Sequence, residues 1–555
     1  MKKTLLICLL GYLCVPISTS TAKVADSPPE TDLVDYSGIP GQEGESSSAH
    51  MGKASPVIIY GELINPDSLG PIQLTVYPYG KRVGLGEDRH EITPLRGTFT
   101  DGVVDARVRK FLGKLEFTTD FAYLDLYLRD RPILKEYLVL PGDSIMISIN
   151  LLTNQILFGG PSRQWFQAQF DIKREIATDR FNSPRVLVEL DREQFLARSD
   201  NRSELQENET QFGSRLEILE QGKTAIDRSL SLLGKNTGED IPGYQTLEQY
   251  RKSLNDNQYS LLMSELVSSY YAGYLGESRR YDLLVSRMRN DRQALERLGI
   301  VLPEILQHLK NQADKLDSTL PTAGLLNFLG EWAQTTALLS ERSFLEVVTE
   351  VFENPLRERL LAEYVLATMN RQDDPLKYVD KFLPWISSNP WKDELESNQA
   401  NFRLGVPLEK AQLTDLDGNS LAWDDLQGKP TLLYFYFSTC THSARFFQEY
   451  LWPLYQELGV SKSLDLVAIS IDNDQELWKE SIAEYSNPTL TNLNLPIKDS
   501  KNWLDHYLIL SFPRVFLLDS SGNLLSLRVR EDTYGALKST VLSLLESENK
   551  SISHL

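Results

Sequence analysis

Residues 431–443, TLLYFYFSTCTHS, restrict what this chain can become more than any other stretch. After Thr431, the run Leu432, Leu433, Tyr434, Phe435, Tyr436 and Phe437 has no polar interruption, which suits a central strand covered on both faces. Ser438 and Thr439 then offer hydroxyls to cap a helix, and amphipathic spacing continues over 441–458. Cys440 stands at that junction. It is expected in the first helical turn, where free backbone N–H groups and the positive end of the macrodipole favour a thiolate.

A strand of this kind needs a layer on each side. Apolar runs at 464–471, 514–518 and 524–529 supply further strands, the last entered through the turn Asp519-Ser520-Ser521-Gly522-Asn523. Helical spacing occupies 474–486, 499–508 and 534–546. Such alternation predicts an α/β layer fold with a partly parallel sheet over residues 402–548.

A chain of 555 residues is too long for one core, and upstream the periodicity changes twice. Over 55–160 the period is two: Ile72, Leu74 and Val76, then Leu124, Leu126 and Leu128, then Ile145, Ile147 and Ile149 alternate with polar or small neighbours. The turn clusters Asn65-Pro66-Asp67 and Pro141-Gly142-Asp143-Ser144 separate them, which predicts an antiparallel sheet arranged as a sandwich. From 161 to 395 the period is helical. Trp165, Ala168, Ile172 and Ile176 share a face behind Ser162 as cap; Leu262, Leu266, Tyr270 and Tyr274 repeat the spacing, as do Leu356, Leu360, Tyr364 and Ala367. Residues 200–243 are polar and weakly periodic, and 387–401 read as a linker with turn chemistry.

The first 22 residues carry Lys2 and Lys3, a short apolar core and the small residues Ser20-Thr21-Ala22, the pattern of a secretory signal. Residues 23–54, rich in Ser, Gly, Pro and acids, read as a disordered tether. The expected place is therefore the periplasm or cell envelope of a bacterium. Membrane association is expected only through lipidation of Cys14, where Leu13 occupies a position that needs a small residue. Loss of the signal removes Cys8 and Cys14, so Cys440 is expected to be the one cysteine of the mature chain and has no partner for an internal disulfide.

The formal charge of −20, with no basic stretch to offset it, argues against nucleic acid as a partner. His50, His90, His308, His442, His506 and His554 form no pair at metal-site spacing, and no hydrolase elbow or phosphate-binding glycine loop is present, so neither a metal nor a cofactor is expected.

The C-terminal region resembles secreted thioredoxin-like proteins of the TlpA/ResA type. The resemblance rests on Gly405-Val406-Pro407, Asp417-Gly418-Asn419, Leu426-Gln427-Gly428-Lys429-Pro430, the strand-to-helix cysteine and Phe512-Pro513-Arg514-Val515-Phe516-Leu517-Leu518-Asp519. It implies a thioredoxin-like fold, thiol–disulfide exchange with a protein or peptide, and a cis-proline at Pro513 that, with Phe512, holds an extended substrate beside Cys440. The upstream order, β then helical with Leu140-Pro141-Gly142-Asp143-Ser144, also resembles long exported proteins of this kind. Three departures are chemical, the first being Thr439 in place of the family's tryptophan. The family's Trp-Cys-x-x-Cys is Thr439-Cys440-Thr441-His442-Ser443 here, so Ser443 replaces the resolving cysteine; Phe446 stands where the family places a proton-transfer glutamate.

A serine hydroxyl cannot release a mixed disulfide. The chain is therefore expected to perform monothiol exchange, with Cys440 as nucleophile, His442 favouring its thiolate and Ser443 a silent partner. The alternative, from a different class, is a non-catalytic binding or assembly module of the cell envelope built on a degenerate thioredoxin site.

Overall fold

A computed structural model describes residues 55–552 except 65–69, 82–84, 100–106, 130, 214–215, 223, 235–239, 373–374, 402–403, 462, 508, 510 and 532. The signal, the tether and the turn Asn65-Pro66-Asp67 lie outside the described residues.

Nine strands come first: β1 (Val57–Ile64), β2 (Ile72–Tyr77), β3 (Asp88–Ile92), β4 (Leu95–Arg96), β5 (Val108–Leu115), β6 (Ala122–Leu128), β7 (Arg131–Val139), β8 (Ser144–Asn150) and β9 (Gln155–Gly159). They form a four-stranded antiparallel sheet in the order β3-β2-β6-β7 and a five-stranded sheet in the order β4-β5-β1-β8-β9. The second sheet is mixed, which corrects the all-antiparallel expectation: β1 pairs with β8 in parallel, Ile59 against Ile145. Strands so far apart in sequence are free of the hairpin constraint that forces antiparallel pairing, and β2–β7 together serve as the crossover. The predicted alternation is otherwise visible as burial, with Ile145, Ile147 and Ile149 inside.

Asp125, in β6, is a charged-type residue in this core with no measurable exposure. Its carboxylate receives Lys81 Nζ at 2.7 Å and the backbone N–H of Glu136 at 2.6 Å, where the ladder with β7 slips register. Glu136 takes φ 52°, a left-handed conformation that a side chain tolerates poorly, so the carboxylate holds an irregular strand in place.

Helices dominate 163–401, and three of the expected features differ. Ser162 is the N-cap of helix Arg163–Asn182, but its hydroxyl does not cap. It donates instead to Asp143 Oδ1 at 2.8 Å and accepts Ser144 N–H at 3.0 Å, while Asp143 Oδ2 takes Leu140 N–H at 2.7 Å. The 387–401 linker is in large part a helix, Trp391–Asn401. Trp391 and Leu395, one turn apart, are buried, and Ser387 and Ser388 give their N–H groups to Glu358 Oε2 at 3.0 and 2.8 Å. The polar stretch around 200–243 contains a strand as well as helices: β10 (Arg185–Glu189) and β11 (Leu216–Glu220) pair in parallel as a two-stranded sheet.

The C-terminal sheet has seven strands: β12 (Leu413–Thr414), β13 (Ser420–Leu421), β14 (Thr431–Tyr436), β15 (Asp465–Ser470), β16 (Thr491–Asn494), β17 (Arg514–Leu518) and β18 (Leu524–Ser526), in the order β13-β12-β16-β15-β14-β17-β18. β14 runs parallel to β15 and antiparallel to β17. Every residue of β14 is buried: Leu433 and Phe435 join Val467, Ile469, Trp503 and Phe516 on one face, and Leu432, Tyr434 and Tyr436 join Phe447, Leu454, Trp478 and Leu537 on the other. Each such side chain contributes about 1.5–3 kcal/mol by leaving water, which explains why the run admits no polar residue after Thr431. The fourth predicted strand is shorter than 524–529, because Ser526 turns its hydroxyl to the Arg528 carbonyl at 3.0 Å and ends the ladder.

Asp125→Ala should lower the free energy of unfolding in urea by about 2–3 kcal/mol, since it removes two hydrogen bonds to a buried charge. An unchanged urea midpoint would show that Asp125 does not hold the β6–β7 irregularity.

Candidate active site

β14 ends at Tyr436, and the chain turns through Phe437-Ser438-Thr439 before helix Thr441–Phe446. Ser438 and Thr439 do not cap this helix. Cys440 itself is the N-cap, with φ −89° and ψ 96°, and its carbonyl accepts Ser443 N–H at 2.9 Å and Ala444 N–H at 3.1 Å. The sulfur therefore sits one residue before the first turn rather than inside it.

Ser438 is used for something else. Its N–H points to Asp472 Oδ1 and Oδ2 at 3.2 and 3.0 Å, and its hydroxyl donates to Asp472 Oδ2 at 2.5 Å. Ser470 also donates to Asp472 Oδ2, at 2.6 Å, and Ser481 donates to Ser438 Oγ at 2.7 Å. Asn494 Nδ2 reaches the carbonyls of Ser470 and Asp472 at 3.2 and 3.0 Å. Hydrogen bonds to an ionised carboxylate are the strong kind, so this cluster fixes the loop that presents Cys440. Sequence reading passed over Asp472. Its position just past the carboxyl end of a predicted parallel strand, beside the cysteine strand, was the available signal.

Cys440 is a free cysteine, half-buried, and its thiol donates to the Phe512 carbonyl at 3.9 Å. The Phe512–Pro513 peptide is cis, as the family resemblance implied. Phe437 and Phe512 meet edge to face at 5.5 Å beside the sulfur's turn. The structure thus brings Cys440, Phe512 and Pro513 together. His442 is exposed, and among the described residues its ring makes no hydrogen bond or ion pair. Ser443 is fully buried and its hydroxyl has no partner among the described residues, although its carbonyl accepts Tyr434 OH at 2.9 Å.

Behind the helix start lies an aromatic wall: Tyr434 on Tyr436 at 5.2 Å, Tyr436 on Tyr485 at 6.1 Å and Tyr434 on Phe447 at 5.6 Å. Burial holds the Tyr434 hydroxyl far above the usual phenol range, so it stays protonated and keeps donating. Phe446 is buried too, stacked on Tyr450 at 5.4 Å with the Arg530 guanidinium 5.9 Å from its ring. The place of the family's glutamate is therefore apolar on one side and cationic on the other. Arg514, next after Pro513, is almost fully buried; burial and the nearby Arg528 lower its pKa to about 10, leaving it charged at neutral pH. Among the described residues no cluster of three His, Cys, Asp or Glu side chains could hold a metal, and no helix is long and apolar enough to cross a membrane.

A family model described as thioredoxin-like matches residues 428–524. The C-terminal region is a thioredoxin-like domain. The thioredoxin-like domain is also similar to solved structures. One is a thiol:disulfide interchange protein from Bacteroides sp., 27% identical, covering 26% of this chain and 92% of that one, with a TM-score of 0.23. A second is the thioredoxin domain of a thiol-disulfide oxidoreductase from Bacteroides vulgatus, 26% identical, covering 26% and 99%, TM-score 0.23. A third, DsbF of MTB, is 22% identical over 25% and 98%, TM-score 0.21. No curated protein matches the chain.

A buried hydroxyl without an acceptor costs about 1–3 kcal/mol in lost hydration. Ser443→Ala should therefore raise thermal stability by about 1 kcal/mol, read from the melting temperature and enthalpy; a loss of stability would mean that the hydroxyl has found a partner.

Proposed function

We propose that this is an exported protein of the TlpA/ResA type that carries out monothiol–disulfide exchange on a polypeptide, with Cys440 as the nucleophile. One observation carries this reading. The Cys440 thiol is partly accessible and lies 3.9 Å from the carbonyl of Phe512, beside Pro513, in a domain whose family model is thioredoxin-like.

The step balances with one cysteine. The Cys440 thiolate attacks one sulfur of a substrate disulfide, the S–S bond breaks, and the other substrate sulfur leaves as a thiolate that takes up a proton. The protein is then joined to the substrate by a mixed disulfide. Release needs a second thiolate to attack the Cys440 sulfur, from the substrate itself or from a small external thiol, because the Ser443 hydroxyl cannot. When the substrate's own thiol returns at a different sulfur, the net result is isomerisation with no change in oxidation state. His442, two residues on and exposed, is the group assigned to favour the thiolate, and Phe512 and Pro513 are assigned to hold the substrate's extended backbone.

The two upstream regions are assigned to recruiting or orienting the partner. The two N-terminal sheets are read as a sandwich, which is supported by the single apolar core that Ile59 and Ile147 of one share with Leu74 and Leu124 of the other.

The test uses a disulfide-bonded peptide substrate. Mass spectrometry should find a peptide adduct on Cys440 that persists until thiol is added, and Cys440→Ser should abolish it. Ser443→Cys should shorten the adduct's life and give catalytic disulfide reduction in the presence of a reductant. A Cys440 that resists both alkylation and adduct formation would leave the non-covalent binding module as the function.

A further inference from the structure

The β10–β11 pair is a two-stranded parallel sheet, a form that is seldom left bare, because parallel strands are normally covered. Its two edges are treated differently. The ladder bond from Gln221 N–H to the Glu189 carbonyl, 2.8 Å, fixes which way β10 faces. In a parallel ladder a residue turns both its N–H and its C=O to the same side, and the side alternates along the strand. Glu189 and Leu187 therefore face β11, and Val186 and Val188 turn their N–H and C=O groups outward.

The far edge of β11 is closed. Arg192 Nε donates to the Ile218 carbonyl at 3.0 Å, and Glu220 N–H donates to Thr224 Oγ1 at 2.8 Å. On the far edge of β10, among the described residues, no strand pairs and no side chain bonds the outward groups of Val186 and Val188. These two valines are 39% and 37% exposed, and the following Leu190 is 54% exposed. An apolar edge with four open backbone groups is a template for another strand.

The sequence of that edge, Arg185-Val186-Leu187-Val188-Glu189, selects its partner. Its charge is reversed about Leu187. Laid antiparallel against a second copy of itself with Leu187 at the two-fold axis, it sets Arg185 opposite Glu189 of the other copy, twice. Val186 then faces Val188 of the other copy, also twice, as the pairs that exchange N–H···O=C bonds. The charged pairs fall at the non-hydrogen-bonded positions, where opposed side chains are closest. Neither Arg185 nor Glu189 has an ion-pair partner within its own chain among the described residues. Pro184, which has no N–H to give, ends the strand on one side.

We infer that this edge is a homodimer contact: two copies of the chain pair β10 with β10 antiparallel and form one four-stranded sheet. The arrangement is isologous, so it closes at two copies instead of propagating. An edge of five residues lies at the low end of interface sizes, and the dimer is accordingly a weak one that forms on concentration.

Sedimentation velocity on the whole chain over a concentration series tests this. The wild type should pass from monomer to a species of twice the mass. Arg185→Glu and Glu189→Lys, each alone, set like charges against each other and should raise the dimer dissociation constant at least about tenfold. An equimolar mixture of the two variants places an all-acidic strand against an all-basic one and should restore association. Circular dichroism of each variant should match the wild type, since both changes lie on the outer strand. A wild type that stays monomeric throughout, a dimer indifferent to both reversals, or a mixture that fails to associate would each overturn the proposal.

Discussion

The C-terminal region rests on one strand that has no wet side. Every position of β14 is interior, so the sheet on its left and right and the helices above and below are all required at once. Apart from the phenol oxygens of Tyr434 and Tyr436, polar groups enter only at the strand's ends, and past its carboxyl end the chain places Ser438. The Asp472 carboxylate takes that residue's N–H and hydroxyl together, tying the end of β14 to the end of β15. Where the strand stops and how the next turn leaves are thus set by the same pair of residues, and the sulfur two positions on inherits its place from them.

The groups packed around that sulfur are mostly apolar or sealed. The residue one turn along is a sealed hydroxyl, the next candidate for proton transfer is a phenylalanine stacked on a tyrosine, and the wall behind is aromatic. Each of these surroundings suits packing better than proton traffic. The thiol contact with the Phe512 carbonyl is the exception, since it joins the helix start to the turn before β17.

Much of this was legible from residue order. The unbroken run after Thr431 was legible as a doubly covered strand, which takes it as far as Tyr436 and leaves Phe437 to the turn, and the alternating isoleucines at 145, 147 and 149 were legible as facing a core. What sequence reading lost were choices between competing uses of one side chain. Ser162 and Ser438 both precede helices and were natural caps; in each case an aspartate distant in sequence, Asp143 or Asp472, took the hydroxyl instead. Propensity cannot see such partners. The helix at Trp391–Asn401 was obscured by the Ser and Pro residues before it, although Trp391 and Leu395 carried its period. The β10–β11 pair was too short, and its strands too far apart, for any local pattern to announce it. The thiol's surroundings were legible in identity, as Ser443 and Phe446, but their burial was not.

The Asp143–Ser162 contact has a mechanical meaning. The change of period near residue 160 looks like a seam, yet the hydroxyl just beyond it satisfies a buried carboxylate and a strand N–H on the near side. Tyr123 adds to this from further off, donating to Glu265 and receiving the N–H of Ala323. The strands are therefore tied to the helices by polar bonds as well as by packing. Strands and helices thus share bonds at two distant points of one apolar core, so neither layer can be pared away without stranding buried polar groups of the other.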